Sequence, residues 1–212
     1  PEDVTLMWCD DNYGYIRHLP DSAERQRSGG NGLYYHVSYW GRPHDYLWLP
    51  STHPALMATE LLRAYDADNR EMWILNVGDI KPAEYLTELF MDIAWNPEPV
   101  RNKGVTHHME RFMAREFGQR HARAITKLMM DYYHLAYIRR PEFMAHTRTE
   151  ERDPKYKRPT SLPWSDEFVR NRIKAYEKLV NDCNHLKGNK DEAQADVWYQ
   201  FIEYPVKAAS YM

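Results

Sequence analysis

Hydrophobic positions in the first part of the chain follow two different periods. Short runs rich in β-branched and aromatic residues predict three buried strands, at residues 4–8, 33–40 and 71–77. Apolar residues at helical spacing predict two helices, at residues 54–68 and 82–95. Pro82 would lie in the first turn of the second helix, where proline is favoured. Residues 21–32 are rich in glycine, serine and charge, which predicts a loop.

The order of these elements indicates the fold class. Strands that alternate with helices are typical of a parallel sheet with helical crossovers. Three strands are too few for a closed barrel, which needs eight. The first strand also follows directly after Pro1-Glu2-Asp3. We therefore expect residues 1–99 to be the last strands and helices of a (β/α)8 TIM barrel, in a chain shortened from a longer parent.

From residue 100 the pattern is helical only. Helices are predicted at residues 105–117, 119–138, 165–186 and 193–212. The apolar stripe of the second of these is Ala122, Ile125, Leu128, Met129 and Tyr132, and that of the third is Val169, Ile173, Tyr176, Val180 and Cys183. Pro205 should bend the last helix, and residues 146–163 form a charged, proline-bearing linker. The sequence therefore predicts α/β plus α, with residues 100–212 as a helical bundle domain.

The middle strand carries chemistry as well as apolar residues. Its alternation places Tyr35, Val37 and Tyr39 on one face and Tyr34, His36 and Ser38 on the other. Polar groups at the carboxyl end of a barrel strand are typical of a substrate site. Taken alone, His36 is better explained as a buried histidine whose hydrogen bonds the backbone satisfies, so His36 by itself does not indicate a substrate site.

Two further polar clusters follow the neighbouring strands. Asp10-Asp11-Asn12 comes after the first strand, and Asn76 and Asp79 follow the third. Each has a structural alternative, namely an Asx turn for the first cluster and helix capping by Asp79 for the second. The carboxyl ends of parallel strands lie on one side of a sheet, however, and ligands bind there. Their convergence favours a functional site.

Composition excludes several classes of protein. The 212-residue chain is 43% hydrophobic, which allows a core, and its net charge of -3 gives no general case for nucleic acid. No apolar run is long enough to predict a membrane span. Cys9 and Cys183 make neither a disulfide framework nor a zinc spacing, and His107-His108 has no third ligand in reach by spacing. No metalloprotease, P-loop or dinucleotide motif occurs, so no metal or cofactor is expected.

Long and unusual segments resemble one enzyme family. They are residues 8–17 (WCDDNYGYIR), 34–39 (YYHVSY) with Gly41 and Pro43, 76–82 (NVGDIKP), 92–97 (DIAWNP) and 139–142 (RRPE). Together they resemble the glycoside hydrolase family 115 α-glucuronidases over nearly the whole chain. The resemblance implies a (β/α)8 barrel followed by a helical domain. It also implies hydrolysis of α-1,2-linked glucuronic acid, or its 4-O-methyl ether, from xylan or a related plant polysaccharide, by inversion and without a metal.

The resemblance also implies roles for individual residues. Asp10 would be the catalytic base or hold the water, and the substrate-binding residues would be Asn12, Tyr34, His36 and Tyr39. Asp11, Asn76 and Asp79 are weaker candidates that would support the site. Family members tend to dimerise, so a homodimer is possible. A polymeric substrate implies a periplasmic or secreted protein.

One catalytic group is missing from the matched segments. The glutamate expected to act as general acid lies upstream of Pro1 in the family pattern. Removal of a proton donor typically costs about 10²-fold to 10⁴-fold in rate, so we expect the isolated chain to be inactive. The alternative hypothesis is a non-catalytic carbohydrate-binding or dimerisation module.

Overall fold

A computed structural model describes residues 1–41, 44–144, 164–188 and 192–212, with the side chains of 192 and 193 left out. The predicted linker at 146–163 and Pro43 lie outside the described residues. The chain divides into a first unit, Pro1–Tyr39 with Thr52–His108, and a second unit, Trp40–Ser51 with Met109–Met212. No described helix is long and apolar enough to cross a membrane.

The first unit contains a parallel three-stranded sheet with its strands in sequence order. The strands are β1 (Leu6–Cys9), β2 (Asn31–His36) and β3 (Asn69–Asn76). The helices are α1 (Ser22–Arg25), α2 (Pro54–Asp66), α3 (Glu84–Trp95) and α4 (Glu98–Phe117), of which α4 extends past the unit's last residue. In register, Trp8 lies beside Leu33, and Leu33 beside Trp73. The predicted parallel βα pattern is therefore confirmed for these strands.

One face of the sheet carries the core of the first unit. Leu33 and Tyr35 on β2 are fully buried, as are Leu61 on α2 and Leu89 on α3. Trp73 of β3 packs on Phe90 of α3, with ring centroids 5.5 Å apart. This packing requires the period of two in the strands and 3.6 in the helices, which is why the sequence pattern predicted these elements.

The opposite face of the sheet is apolar but exposed. Met7, Met72 and Ile74 are all exposed there, while Gly32 lies between Met7 and Met72 with no room for a side chain. A side chain at Gly32 would come within 2.4 Å of the Met7 sulfur and 2.7 Å of the Met72 carbonyl oxygen. Its residues give this face the composition of a buried surface. Parallel sheets are normally covered on both faces.

All three strands have bounds that differ from the prediction, and β2 ends at His36 instead of residue 40, so the predicted alternation does not extend to Tyr39. Differences are also found at three helices. The predicted loop at 21–32 contains α1, whose Asp21 and Glu24 form a capping box. Helix α3 begins at Glu84, so Pro82 precedes the helix instead of lying in its first turn. Helix α4 begins at Glu98 and is interrupted at Gly104, which has a φ of 77°. The predicted start at residue 105 is the point where the helix resumes.

The second unit is helical. Helix α5 spans Gln119–Ile138, a 3₁₀ turn follows at Pro141–Met144, and α6 spans Asp166–Lys187. The predicted stripe of α5 is confirmed, because all five of its residues are buried. On α6, Tyr176 and Cys183 are buried, but Val169 and Ile173 are exposed, so that part of the prediction is wrong. These two residues line an open groove instead of a core.

The last predicted helix contains a change of helix type. Helix α7 (Glu192–Trp198) leads into a π-helical turn at Tyr199–Glu203, and α8 (Tyr204–Tyr211) follows. Pro205, which has no N–H to donate, lies in the first turn of α8, directly after the π-helical turn. The irregularity therefore falls just before the proline.

A loop at residues 44–51 is fixed by the 3₁₀ turn of the same unit. The buried carboxylate of Glu142 accepts hydrogen bonds from the backbone N–H groups of Leu47 (2.8 Å) and Trp48 (2.6 Å). The Arg140 guanidinium lies 3.8 Å from the ring centroid of Tyr46 and donates to Ser51 Oγ at 2.8 Å. We call this arrangement the loop clamp.

The loop clamp predicts a pH-dependent stability. Burial raises the pKa of the Glu142 carboxyl, against the opposing effect of the two N–H groups and Arg140. The folded chain then holds this proton more tightly than the unfolded chain, so stability falls as the pH rises from the ordinary glutamate range through the raised pKa. Glu142→Gln should flatten the curve of unfolding free energy against pH above the ordinary glutamate range of about pH 4, measured by urea denaturation. Glu177→Gln, at an exposed position, is the control; equal slopes for the two variants would contradict the prediction.

Candidate active site

The carboxyl ends of the three strands meet at one edge of the sheet. The pairing continues just past the strands, because Asp10 N donates to Tyr34 O at 3.3 Å and Val37 N donates to Asn76 O at 3.1 Å. The residues that follow β1, β2 and β3 are therefore neighbours. This edge holds Asp10, His36 and Asn76, as convergence of the strand ends predicts.

A buried hydrogen bond joins Asp10 and His36. Asp10 Oδ1 lies 2.5 Å from His36 Nδ1, and the Asp10 side chain is 0% exposed. The second carboxylate oxygen, Oδ2, accepts from Gly14 N at 2.9 Å. A carboxylate can only accept in this pair, so Nδ1 donates and Nε2 is the ring nitrogen left for a ligand. Both oxygens of Asp10 are thus used inside the protein.

The turn after β1 is built around Asp11 and Gly14. Asp11 Oδ1 accepts from Tyr13 N (3.0 Å) and Tyr15 N (3.1 Å), and its other oxygen pairs with Arg17. The Asx-turn alternative is therefore the correct account of Asp11. Gly14 has a φ of 99°, and its carbonyl accepts from the buried Tyr35 hydroxyl at 3.0 Å. The turn that carries Asp10 is held from β2 as well.

Aromatic rings surround the imidazole of His36. The Tyr34 ring lies 4.6 Å from it between centroids, and the Tyr39 ring meets it edge-on at 5.6 Å. Asn76 Nδ2 donates to the Tyr34 hydroxyl at 2.6 Å, which fixes the position of that oxygen. Four of the predicted residues, Tyr34, His36, Tyr39 and Asn76, therefore form one cluster with Asp10.

Two further predicted residues lie in the segments that follow β1 and β3. Asn12 is half-buried in the turn after β1 and takes a φ of 68°. Asp79 is exposed and does not cap α3, whose N-cap is Ala83 without a side-chain hydrogen bond. The capping alternative for Asp79 is therefore wrong. Ser38, which the sequence did not single out, accepts from Gly78 N at 2.6 Å and holds the loop after β3.

A second group of titratable side chains was missed from the sequence. His108 Nε2 lies 2.9 Å from Asp92 Oδ2, and with Glu88 these residues bring three ligand atoms within 4.8 Å of one another. Linear spacing showed no third ligand for His107-His108, whereas the structure brings two carboxylates to His108. Glu88 and Asp92 lie on α3 and His108 on α4, and no linear spacing shows a contact between two helices. Imidazole and carboxylates suit a divalent cation in type.

The chain resembles proteins of one enzyme family. Residues 1–143 match the family model described as glycosyl hydrolase family 115. A solved structure of a family 115 4-O-methyl-α-glucuronidase with specificity for decorated arabinogalactans is 51% identical, with a TM-score of 0.93. The similarity covers 99% of this chain and 28% of that one, so the chain spans less than a third of that protein's length. A comparison with curated proteins gives no match.

The conformation of Gly14 leads to a testable prediction, for which Gly118 is the matched control. Gly14 and Gly118 both have positive φ, which costs an alanine about 1–2 kcal/mol. A Cβ at Gly14 would also come within 3.0 Å of Tyr35 Oη and 3.3 Å of Leu56 Cδ2. A Cβ at Gly118 would meet no such neighbouring atom within 4 Å. Gly14→Ala should therefore lower the unfolding free energy by about 1–3 kcal/mol more than Gly118→Ala, measured by chemical denaturation. Equal losses would show that the close approach of Tyr35 contributes nothing.

Proposed function

Since the chain belongs to glycosyl hydrolase family 115, we propose that it carries part of the active site of an α-glucuronidase. The substrate would be a plant polysaccharide such as xylan that bears α-1,2-linked glucuronic acid or its 4-O-methyl ether. The observation that supports this proposal most directly is the buried Asp10–His36 hydrogen bond at the carboxyl ends of parallel strands. An ordered imidazole among tyrosines at that place suits a sugar-binding site.

The fold supports a larger catalytic domain. We propose that residues 1–99 belong to a (β/α)8 barrel and that residues 100–212 form a helical bundle domain. In such a barrel, helices cover the outside of the strands and side chains fill the interior. The apolar exposed face of Met7, Met72 and Ile74, opposite the helix-covered face, has the character of a barrel interior.

The contacts of Asp10 favour a positioning role for this residue. Its side chain is fully buried and both of its oxygens accept hydrogen bonds from groups of this chain, which suits a residue that orients a neighbour more than one that activates a water. Asp10 would instead hold His36 in the tautomer that presents Nε2. His36 would then contact the uronate or assist proton transfer, while Tyr34 and Tyr39 would bind hydroxyl or carboxylate oxygens. Asn76 would orient Tyr34 through their 2.6 Å hydrogen bond.

Inversion needs one carboxylic acid and one carboxylate on opposite sides of the sugar bond. Asp10 is buried, Asp11 is committed to its turn and to Arg17, and Asp79 lies away from the helix cap on an exposed loop. The carboxylates at the described strand ends are therefore poorly placed to act as the proton donor. This supports the proposal that the general acid lies outside this chain and that the isolated chain is inactive.

Asn12 would orient the ligand by its amide. The reaction would need no metal, the protein would work outside the cytoplasm, and a homodimer remains an expectation.

The deciding experiment compares two proteins on one substrate. Release of 4-O-methylglucuronic acid from 4-O-methylglucuronoxylan is measured for the 212-residue chain and for the product of the complete reading frame. Release by the complete product alone supports the proposal. Release by the 212-residue chain would contradict the proposed location of the general acid. Inactivity of both, with binding retained, would favour the non-catalytic binding module.

Substitutions at the Asp10–His36 pair separate positioning from folding. In the complete product, His36→Ala should lower the rate of uronate release by about 10²-fold or more. Asp10→Asn keeps the shape but can leave His36 in the wrong tautomer, so activity should fall by at least about tenfold, with a shifted pH profile. Asp11→Asn is the control, and its rate of uronate release should stay within about threefold of the unaltered protein. An asparagine oxygen can still accept the backbone hydrogen bonds by which Asp11 supports the turn. Full activity of Asp10→Asn at every pH would refute the positioning role.

A further inference from the structure

The backbone beside Tyr39 is fixed, although Tyr39 lies outside the sheet. Strand β2 ends at His36, so the pleat of the strand does not direct the side chain of residue 39. The preceding residue is tied to the loop after β3, because the buried Ser38 accepts a hydrogen bond at Oγ from Gly78 N at 2.6 Å. This bond places Tyr39 but does not set the direction of its ring, which depends on the side-chain torsions.

Two neighbouring rings set the direction of the Tyr39 ring. The His36 imidazole meets it edge-on, with centroids 5.6 Å apart and planes at 89°. The Tyr13 ring also meets it edge-on, with centroids 5.8 Å apart and planes at 71°. Such edge-to-face pairs are an arrangement that the quadrupoles of aromatic rings favour. Tyr13 is therefore joined to the imidazole cluster by its contact with Tyr39.

The position of Tyr13 is fixed by the turn after β1. Its backbone N–H donates to Asp11 Oδ1 at 3.0 Å, and the next N–H, that of Gly14, donates to Asp10 Oδ2 at 2.9 Å. The other oxygen of Asp10 holds the imidazole of the cluster. One turn therefore carries two groups that act on the cluster, namely a carboxylate against the imidazole and a ring against Tyr39.

We infer that Tyr13 is a positioning residue for the uronate-releasing reaction, a role that rests on the proposed function. Tyr13 holds the Tyr39 ring in the direction from which the Tyr39 hydroxyl reaches a hydroxyl or carboxylate oxygen of the sugar. Because this direction is fixed before the substrate arrives, less conformational entropy is lost on binding. A group displaced by about 1 Å loses much of its effect on a reaction. Tyr13 thus acts through Tyr39.

The test uses the product of the complete reading frame and a uronate-bearing xylo-oligosaccharide as substrate. Tyr13→Leu removes the ring but keeps an apolar side chain and the backbone N–H that donates to Asp11. It should lower kcat/KM about three- to tenfold, as expected for the loss of one edge-to-face contact. Tyr13→Phe keeps the ring and should stay within about twofold of the unaltered protein. Tyr65→Leu is the matched control and should leave kcat/KM unchanged, since Tyr65 is also half-buried in the first unit but lies on α2, ahead of the amino end of β3.

A double-mutant cycle separates positioning from a general loss of stability. If Tyr13 acts through Tyr39, Tyr13→Leu should change kcat/KM by less than about twofold in a Tyr39→Ala background. The pH profile of kcat/KM should keep its shape in Tyr13→Leu, because the substitution leaves the Asp10–His36 hydrogen bond in place. Crystal structures of the unaltered protein and of Tyr13→Leu should show the Tyr39 ring displaced in the variant. Thermal unfolding checks that each variant is folded, and Tyr13→Met replaces Tyr13→Leu if that variant is not.

Several results would overturn the inference. They are an unchanged kcat/KM for Tyr13→Leu, an equal loss for Tyr65→Leu, additive losses in the cycle, or a Tyr39 ring that does not move. A loss for Tyr13→Phe as large as that for Tyr13→Leu would also overturn it, in favour of direct substrate binding by the Tyr13 hydroxyl.

Uronate release by the unaltered protein tests the proposed function separately. If the unaltered protein releases uronate and Tyr13→Leu releases it equally fast, the positioning role alone fails. If the unaltered protein releases none, the proposed function fails, and the role of Tyr13 in that reaction fails with it.

Discussion

The hydrogen bond between Asp10 and His36 connects the ends of two neighbouring strands, and the candidate site depends on it. It forms only if β1 and β2 are parallel and in the observed register, since a shift of one residue would turn His36 to the other face. It also requires the turn after β1 to close, which needs the glycine at position 14 and the hydroxyl of Tyr35. Sheet register, turn conformation and imidazole orientation are thus parts of one arrangement.

The sequence predicted local features well because they depend on local causes. The three strands, α2 and α5 follow from hydrophobic period, and alternation along one strand places Tyr34 and His36 on the same face. Alternation placed Tyr39 on the other face, which is wrong, because β2 ends at His36 and the chain beyond it brings the Tyr39 ring to the imidazole. The meeting of Asp10 with His36 could be expected only from the rule that parallel strand ends converge. The hydrophobic pattern of the sequence does not itself show that Asp10 and His36 form a hydrogen bond.

What the sequence could not show is contact between distant segments. The bond from Asn76 to Tyr34, the approach of His108 to Asp92 and the hold of Glu142 on Trp48 all join separate elements. Short elements also escaped prediction. Helix α1 has only four residues, too few for a period, although its capping box was present in the sequence. Val169 and Ile173 have helical spacing, but both are exposed in the part of the chain that the structure describes.

The second unit is discontinuous in sequence, and this has a consequence for its synthesis. Leu47 and its carboxylate acceptor Glu142 are separated by 95 positions, and the segment between them includes most of the first unit. At about 5–20 residues per second, the ribosome needs several seconds to supply the acceptor after the loop has been made. During that interval the loop emerges without its partner. The sheet of the first unit can form meanwhile, because its strands and α2 and α3 all precede residue 96. Vectorial synthesis therefore favours completion of the sheet edge that carries the candidate site before the loop of the second unit is ordered.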